Sequence, residues 1–365
     1  MTEKPSIALI YNLPVYAKLA GEPLVVSEEG KLEQLHIGNE EADASEIAIQ
    51  EECEALFTIL QTLRYRVVRF GTDGNLQSLL NFLEEEKPQL IFNLCEGVGH
   101  DASKEMNIAA IFELLNIPFT GSGALTLGTS LQKTRVKEIL TYHNIPTPKF
   151  QLFNFSDDVM HHQLHFPLIV KPSREDASIG IENTSIVKNN EQLYKRVHYI
   201  HERFSQPALV EEFIDGREIN AAILGFHNAE VLPLSEIDMS TLPSEYPHII
   251  TYNAKWMKGT IEYERTVRVC PAPLPKETEE KITSLALKAF HLLGCRDYAR
   301  VDFRLSHNNE PYILEVNPNP DISEDAGFAA SALAAGYSYH QFVEAIIHSA
   351  MERLLVKRNS ISLLL

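Results

Sequence analysis

The chain is poor in cysteine, in long apolar runs and in basic charge. Its four cysteines, Cys53, Cys95, Cys270 and Cys295, stand far apart with no Cys-x-x-Cys pair. That spacing argues against a disulfide framework and predicts free thiols, buried as small apolar residues in a reducing compartment. The amino terminus offers an apolar run only from Ile7 to Ile10 before Tyr11, Asn12 and Pro14. This is too short for a signal segment, and nothing elsewhere approaches a membrane span, so the expected location is cytoplasmic. Basic residues number 32 against 50 acidic ones, a formal net charge of -18. Such a balance argues against sequence-independent binding to nucleic acid or to an anionic membrane. Any phosphate-bearing partner has to be met locally, by a few lysines and a metal. Zinc-type spacing is also missing among the histidines: His161, His162 and His165 sit in a polar stretch, and His198 and His201 on a helix without the accompanying glutamate. All five are expected at the surface.

What is present suits two or three domains, the expectation for 365 residues. The first third alternates strand and helix: a strand from Ser6 to Tyr11, a helix from about Ala44 to Leu63, strands at Arg66 to Phe70 and Leu90 to Leu94, helices near Asn75 to Glu86 and Lys104 to Leu115, and a strand at Pro118 to Thr120. This pattern predicts an open parallel sheet with helices on its faces, and ligands at the carboxyl ends of its strands. The long acidic segment 12–43 reads as a lid or a mobile loop. A helix from about Thr129 carries Lys133 and Lys137. Beyond Pro146 and Pro148 the chain reads as a small α+β domain, then a long connection from Ile237 to Thr260, a helix from Lys276 to Leu293 with an apolar stripe that belongs to the core, and a last helix from about Ser338 to Leu355. The expected domains are 1–125, 126–225 and 226–357, with a tail at 358–365.

The segment richest in chemistry runs from Arg300 to Pro318. Two arms alternate at period two, Val301, Phe303 and Leu305 answering Leu314 and Val316, across a Ser-His-Asn-Asn turn. A turn centred between Asn308 and Asn309 sets Asp302 opposite Glu315 and Arg300 opposite Asn317, all on one face. Facing carboxylates repel unless something positive lies between them, and two carboxylates with an amide suit magnesium. The competing reading is a solvated face, since Arg304 and Glu310 show that this hairpin tolerates charge. Two other segments are weaker alone. Lys171 ends the apolar strand Leu168 to Lys171 and precedes a polar loop, Ser173 to Gly180, that could close over phosphates, although many strands end in lysine. The run Ala208 to Glu218 leaves Glu211, Glu212 and Glu218 at a strand end, equally consistent with a nucleotide edge or a solvated hairpin.

Taken in order, Pro118-Phe-Thr-Gly121-Ser-Gly123, Ser130-Leu-Gln-Lys133, Ile169-Val-Lys171-Pro-Ser-Arg-Glu, Leu209-Val-Glu-Glu-Phe-Ile-Asp-Gly-Arg-Glu218 and Ile313-Leu-Glu315-Val-Asn317 make a chain that resembles the ATP-grasp superfamily, most closely the D-alanine–D-alanine ligases and related carboxylate-amine ligases. The resemblance runs from about residue 88 to 355. It implies a three-domain ATP-grasp architecture, α/β and α+β, with an amino-terminal open parallel Rossmann-like sheet and ATP between the central and carboxy-terminal domains. It further implies Lys133, Lys171 and Ser178 at the phosphates, Glu211, Glu212 and Ile214 at the adenine and Glu218 at the ribose. Asp302, Glu315 and Asn317 match magnesium ligands, for two ions with manganese as an alternative. Arg300 matches an arginine beside the reacting carboxyl, and Lys255 a lysine on a closing loop.

The implied chemistry is phosphorylation of a carboxylate to an acyl phosphate, then displacement by an amine, with small-molecule substrates and a homodimer as in relatives. The substrate side departs from the family. No amino-terminal glutamate is evident near Asn12 to Glu22, Cys95-Glu96-Gly97 replaces a His-Gly segment, and Asp176-Ala177 replaces glycine and serine. Trp256 replaces a tyrosine, and Asp321 and Ala326 replace a glycine and a serine. Glu96, Trp256 and Asp321 are therefore the substrate-side candidates. The expected activity is that of an ATP-dependent carboxylate-amine ligase. The alternatives are a D-alanine–D-alanine ligase proper, a relative acting on a substrate that is not an amino acid, and an ATP-binding regulatory protein without catalysis.

Overall fold

The structure is a computed structural model and describes residues 4–13, 44–99, 101–157, 159 and 161–362. Most of the acidic segment expected as a lid, residues 14–43, lies outside them. The chain divides into two compact units, Met1–Thr120 and Gly121–Leu365.

In the first unit β1 (Ser6–Asn12) runs parallel to β2 (Arg66–Thr72) on one side and β3 (Leu90–Leu94) on the other, in the order β2-β1-β3. Ile7, Leu9 and Ile10 of β1 and every residue of β3 are buried, as a parallel sheet covered on both faces requires. The strand expected at Pro118 to Thr120 is reduced to one bridge, Ile91 to Phe119.

The second unit holds two antiparallel sheets. In the first, β4 (Phe150–Phe153), β5 (Leu168–Pro172), β6 (Ile186–Val187) and β7 (Ala208–Glu212) take the order β4-β7-β5-β6. The helix Asn190–Phe204, capped by the Asn189 side chain accepting from the Gln192 N–H, lays Leu193, Val197 and Ile200 against Leu168, Val170 and Val210. In the second, β8 (Gly216–Gly225), β9 (Glu230–Val231), β10 (Ser235–Asp238), β11 (Val267–Val269), β12 (Asp297–Ser306) and β13 (Pro311–Asn317) take the order β11-β10-β8-β12-β13, with β9 also on β8. Here Ile282, Ala286, Ala289 and Phe290 of the helix Lys276–Leu292 pack on Ile219, Val301, Phe303 and Val316, which makes that stripe core, as expected. The other face of β8, β12 and β13 is left for polar side chains.

Several local expectations change. The helix expected from about Thr129 is two helices, Ala124–Leu131 and Lys133–Tyr142, because Gln132 takes a non-helical ψ of 81°. Lys133 thereby opens a helix instead of sitting inside one. A short 3-10 turn over Asn183–Ser185 leads directly into β6. The last helix runs on to Ser362. His201 is buried, its Nε2 3.0 Å from the Phe153 carbonyl oxygen, and is not a surface residue. Among the described residues no helix is long and apolar enough to cross a membrane.

The hairpin keeps the expected register at its chemical end and departs from it near the turn. Asp302 does face Glu315 and Arg300 does face Asn317. Near the turn, however, Ser306 N–H bonds to the Glu310 carbonyl and Asn309 adopts φ 58°, giving a three-residue loop centred on Asn308 and the pair Phe303 to Ile313. A β-bulge between Asp302 and Phe303 absorbs the difference of one residue. In consequence Ile313, not Leu314, enters the core, and Leu314 lines the polar side.

Candidate active site

The polar face of the larger sheet is a grid set by strand pairing. Glu218 on β8 faces Arg304 on β12, Asn220 faces Asp302, and Asp302 faces Glu315 on β13. Arg300 and Asp302, two apart on one strand, make a two-pronged ion pair, Nε to Oδ1 at 2.7 Å and Nη2 to Oδ2 at 2.9 Å. Asn220 donates to the same Oδ1 at 2.8 Å. Glu315 faces the Lys133 ammonium at 3.2 Å. Burial alone would raise the Glu315 carboxyl, yet the charges of Lys133, Lys171 and Arg300 hold it down at about 2. Asp302 and Glu315 are thus each neutralised by a cation of the chain itself.

The smaller sheet supplies the opposite wall. Ile169 of β5 faces Glu211 of β7, which sets Lys171 beside Glu211. Lys171 Nζ and Lys137 Nζ both reach Glu211 Oε1, at 3.0 and 3.1 Å. Burial opposes the charge of Glu211, but the two ammoniums keep its carboxyl below the usual range. Burial lowers Lys137 to about 8, the neighbouring Glu211 only partly offsetting it.

A cleft between these faces is lined by Lys133, Lys171, Ser178, Glu211, Glu212, Ile214, Glu218, Asp302 and Glu315, with Ile169, Ile181, Phe213, Ile249 and Leu314 as apolar wall. Such a mix of flat apolar surface and a few convergent charges is what a nucleotide needs. Glu212 itself turns to His165, accepting from its N–H at 3.1 Å. Beside the cleft, Asn317 Oδ1 accepts from Asn319 N–H at 3.0 Å, and Asp321 Oδ1 accepts from Ser323 N–H at 2.9 Å and Oγ at 2.5 Å. Glu96 belongs to the first unit, following β3, with its N–H donating to Asn12 Oδ1 at 3.0 Å. A separate depression lined by Glu230, Tyr337, Glu344 and His348 holds none of the candidate residues.

The polar loop is shaped by its own chain. Ala177 and Ser178 have φ of 53° and 62°, a region that glycine enters freely and residues with a Cβ do not. Arg196, buried, donates to the Gly180 carbonyl at 2.6 Å and to Ser185 Oγ at 2.9 Å, fixing the loop's far end. The short helix Tyr252–Trp256 rests on the loop: Tyr252 N–H bonds to the Ile181 carbonyl at 3.0 Å and Trp256 Nε1 to the Ala177 carbonyl at 2.9 Å. Lys255 sits 4.9 Å above the Trp256 ring. Asp176 at the loop's tip is paired with Lys133. Burial works against that ammonium, but Asp176 and Glu315 together raise its pKa well above the usual lysine value.

Four of these residues have partners that the sequence does not show. Arg304, taken as a sign of a solvated face, is buried and donates to the carbonyls of Ile214, Gly216 and His248 at 3.0 Å each, clamping the strand link beside Glu211. Its spacing of two from Asp302 was the available signal. Asn220, Lys137 and Asp176 meet their partners only through packing of separate elements.

Burial pushes Glu218 up to about 7, Arg304 pulling it down and Asp302 and Glu315 adding to the rise. Its unfolded value is near 4.5, so the folded chain holds an extra proton between those pH values and ionising Glu218 costs stability as pH rises through that window. A ligand whose hydroxyls donate to this carboxylate favours the ionised form. Nucleotide binding at pH 6.5 should then release a proton, and affinity should weaken as pH falls below about 7. Calorimetry in two buffers of different ionisation enthalpy checks this; a buffer-independent enthalpy, or one unchanged in Glu218→Gln, would refute it.

The family model described as "D-ala D-ala ligase C-terminus" matches residues 139–348. A D-alanine–D-alanine ligase of Carboxydothermus hydrogenoformans is 33% identical over 310 residues, covering 82% of this chain and 92% of that protein. An uncharacterised protein y4sG of Sinorhizobium fredii is 32% identical over 287 residues, 78% of this chain and 82% of its own. The structure of a Bacillus anthracis D-alanine–D-alanine ligase solved with ATP has a TM-score of 0.69 over 96% of this chain and 98% of that one, at 21% identity, and so speaks to the fold alone. The chain belongs to the D-alanine–D-alanine ligase family, ATP-dependent ligases of the ATP-grasp fold that form an amide bond.

Proposed function

We propose that the cleft binds ATP with magnesium and that the protein joins a carboxylate to an amine through an acyl phosphate, with substrates other than two D-alanines. The observation that carries the substrate reading is Asp321. Its carboxylate is fixed by Ser323 close enough to Arg300 to raise that guanidinium's pKa further, behind burial, which lowers it, and the stronger pull of Asp302. A negative charge held there repels a second substrate's carboxylate.

The residues fit a magnesium site by their donor set. Two carboxylates and an amide, hard oxygen donors, share one hairpin face in facing pairs. Among the described residues no group of three or more His, Cys, Asp or Glu is arranged to hold a metal. Asp302, Glu315 and Asn317 would hold the ion, which neutralises charge on the transferred phosphoryl group when bound. Lys133 and Lys171 would grip phosphate oxygens, and Arg300 would meet the oxyanion formed when the amine attacks. Trp256 and Tyr252 tie the Lys255 helix to the loop, so both would close together and keep water from the acyl phosphate. The proposed domain boundaries at 125/126 and 225/226 and a cytoplasmic location accord with this reading.

Phosphate release measured with magnesium-ATP against a panel of amino acids, amines and small acids tests the proposal, with product mass identifying the bond formed. Amine-dependent release from no pair would sink it. Efficient use of D-alanine alone as both substrates would replace it with the D-alanine–D-alanine ligase reading.

The Lys133–Asp176 pair adds an expectation. Nucleotide phosphates must displace Asp176 from Lys133, and Asp176 is half exposed. An ion pair of this kind is worth up to about 1 kcal/mol, so Asp176→Ser should lower the KM for ATP by about twofold to fivefold. A KM that rises would show that Asp176 helps to bind nucleotide.

A further inference from the structure

One neutral side chain stands among the charges of the larger sheet. Asn220 lies midway along the ten-residue strand β8, directly across from Asp302 on β12. Asparagine is a poor strand former, so local structure does not account for it there. Its amide nitrogen donates to Asp302 Oδ1 at 2.8 Å. The orientation of the amide follows from charge, because its oxygen in that place would face a carboxylate. Arg300 Nε donates to the same Oδ1 at 2.7 Å, and Arg300 Nη2 donates to Oδ2 at 2.9 Å. The guanidinium therefore treats the two oxygens alike, with one N–H for each. Asn220 alone breaks the tie. A carboxylate oxygen has room for about two donors, so Oδ1 is filled while Oδ2 keeps a place open. Asp302 is 5% exposed and held between β8 and β13, which keeps the two oxygens from exchanging roles.

We propose that Asn220 is a positioning residue that sets the metal preference of the site. By filling Oδ1 it leaves Asp302 one oxygen to give, which suits a small ion of strict octahedral demand, magnesium, and works against calcium. The inference rests on the hairpin being the metal site. Calcium is larger, takes more oxygens at longer distances, and accepts both oxygens of one carboxylate. With Oδ1 occupied by Arg300 and Asn220, that second contact is closed to it.

The test is calorimetry on the full chain with a non-hydrolysable ATP analogue as its magnesium complex, as its calcium complex, and alone in chelator. No knowledge of the substrate pair is needed. Wild type should bind the magnesium complex about tenfold tighter than the calcium complex. Asn220→Ala should bring the two within about threefold, chiefly by tightening the calcium complex, since Asp302 can then offer both oxygens. A gain for calcium is not produced by a merely loosened strand. Equal weakening of both complexes, or an unchanged ratio, overturns the proposal. Should Asn220→Ala fail to fold, Asn220→Leu fills the same space without a donor; its ratio must fall about threefold or more, and an unchanged one overturns the proposal. A wild type that needs metal but binds both complexes equally also overturns it and leaves the hairpin as the metal site. A wild type that binds the analogue as tightly in chelator as with either metal would sink the metal reading of the hairpin, and the role of Asn220 with it.

Discussion

Glu315→Gln should reduce ATP-dependent turnover by about a thousandfold, the scale of losing one preorganised electrostatic group from a transferring centre. The loss has two parts. The amide removes the negative charge that pairs with Asp302 across the hairpin, so the proposed ion loses a ligand. It also frees Lys133 from one of its two carboxylates. The fold should survive, since glutamine still accepts a hydrogen bond from Lys133 and Glu315 takes no part in the core. Steady-state ADP formation, set beside a thermal melt, separates the two effects. Turnover like that of wild type would remove the hairpin from the active site, whatever its register.

The largest effect on stability should come from Asp297, a residue outside the cleft. Its side chain is fully buried and its backbone has φ 66°. Oδ1 accepts from Ser349 Oγ at 2.8 Å and Arg353 Nε at 2.9 Å, and Oδ2 from Arg353 Nη2 at 2.6 Å and the Gly121 N–H at 2.9 Å. One carboxylate therefore pins the last helix and the first residue of the second unit to the start of β12. Asp297→Ala leaves a buried N–H without its acceptor and takes the counter-charge from Arg353, a loss of about 3–5 kcal/mol. For a unit of this size that lowers the melting temperature by on the order of 10 °C. Asp297→Asn keeps an acceptor for Gly121 and tolerates the left-handed backbone, so it should lose less. A melt unchanged in Asp297→Ala would show that the helix is held by its apolar face alone.

How far the sequence could be read depended on the range of the interaction. The face shared by Arg300, Asp302, Glu315 and Asn317 followed from period two within one hairpin, and the core stripe of the Lys276–Leu292 helix from its 3.6 spacing. Both are local rules. Order along the chain supplied the ATP-grasp resemblance, which the family comparison bears out. The break at Gln132 was hidden because no proline or glycine marks it. The bulge was hidden because Ile313 and Leu314 are equally apolar, and only packing decides which turns inward. Arg304, Lys137 and Asp176 owe their surroundings to β8, to β7 and to the helix Lys133–Tyr142 in turn, elements far from them in sequence. A residue's chemistry can be named from its type, but its partner cannot when that partner arrives from another element.

The bulge beside Asp302 works like a slip joint in a drive shaft. One residue of slack sits between the hairpin's tip and its chemical end, so a change of length at His307–Asn309 can be taken up at Leu314 before it re-aims Glu315 or Asn317. The cost falls on Leu314, whose place in the cleft wall exists only while the joint stays where it is.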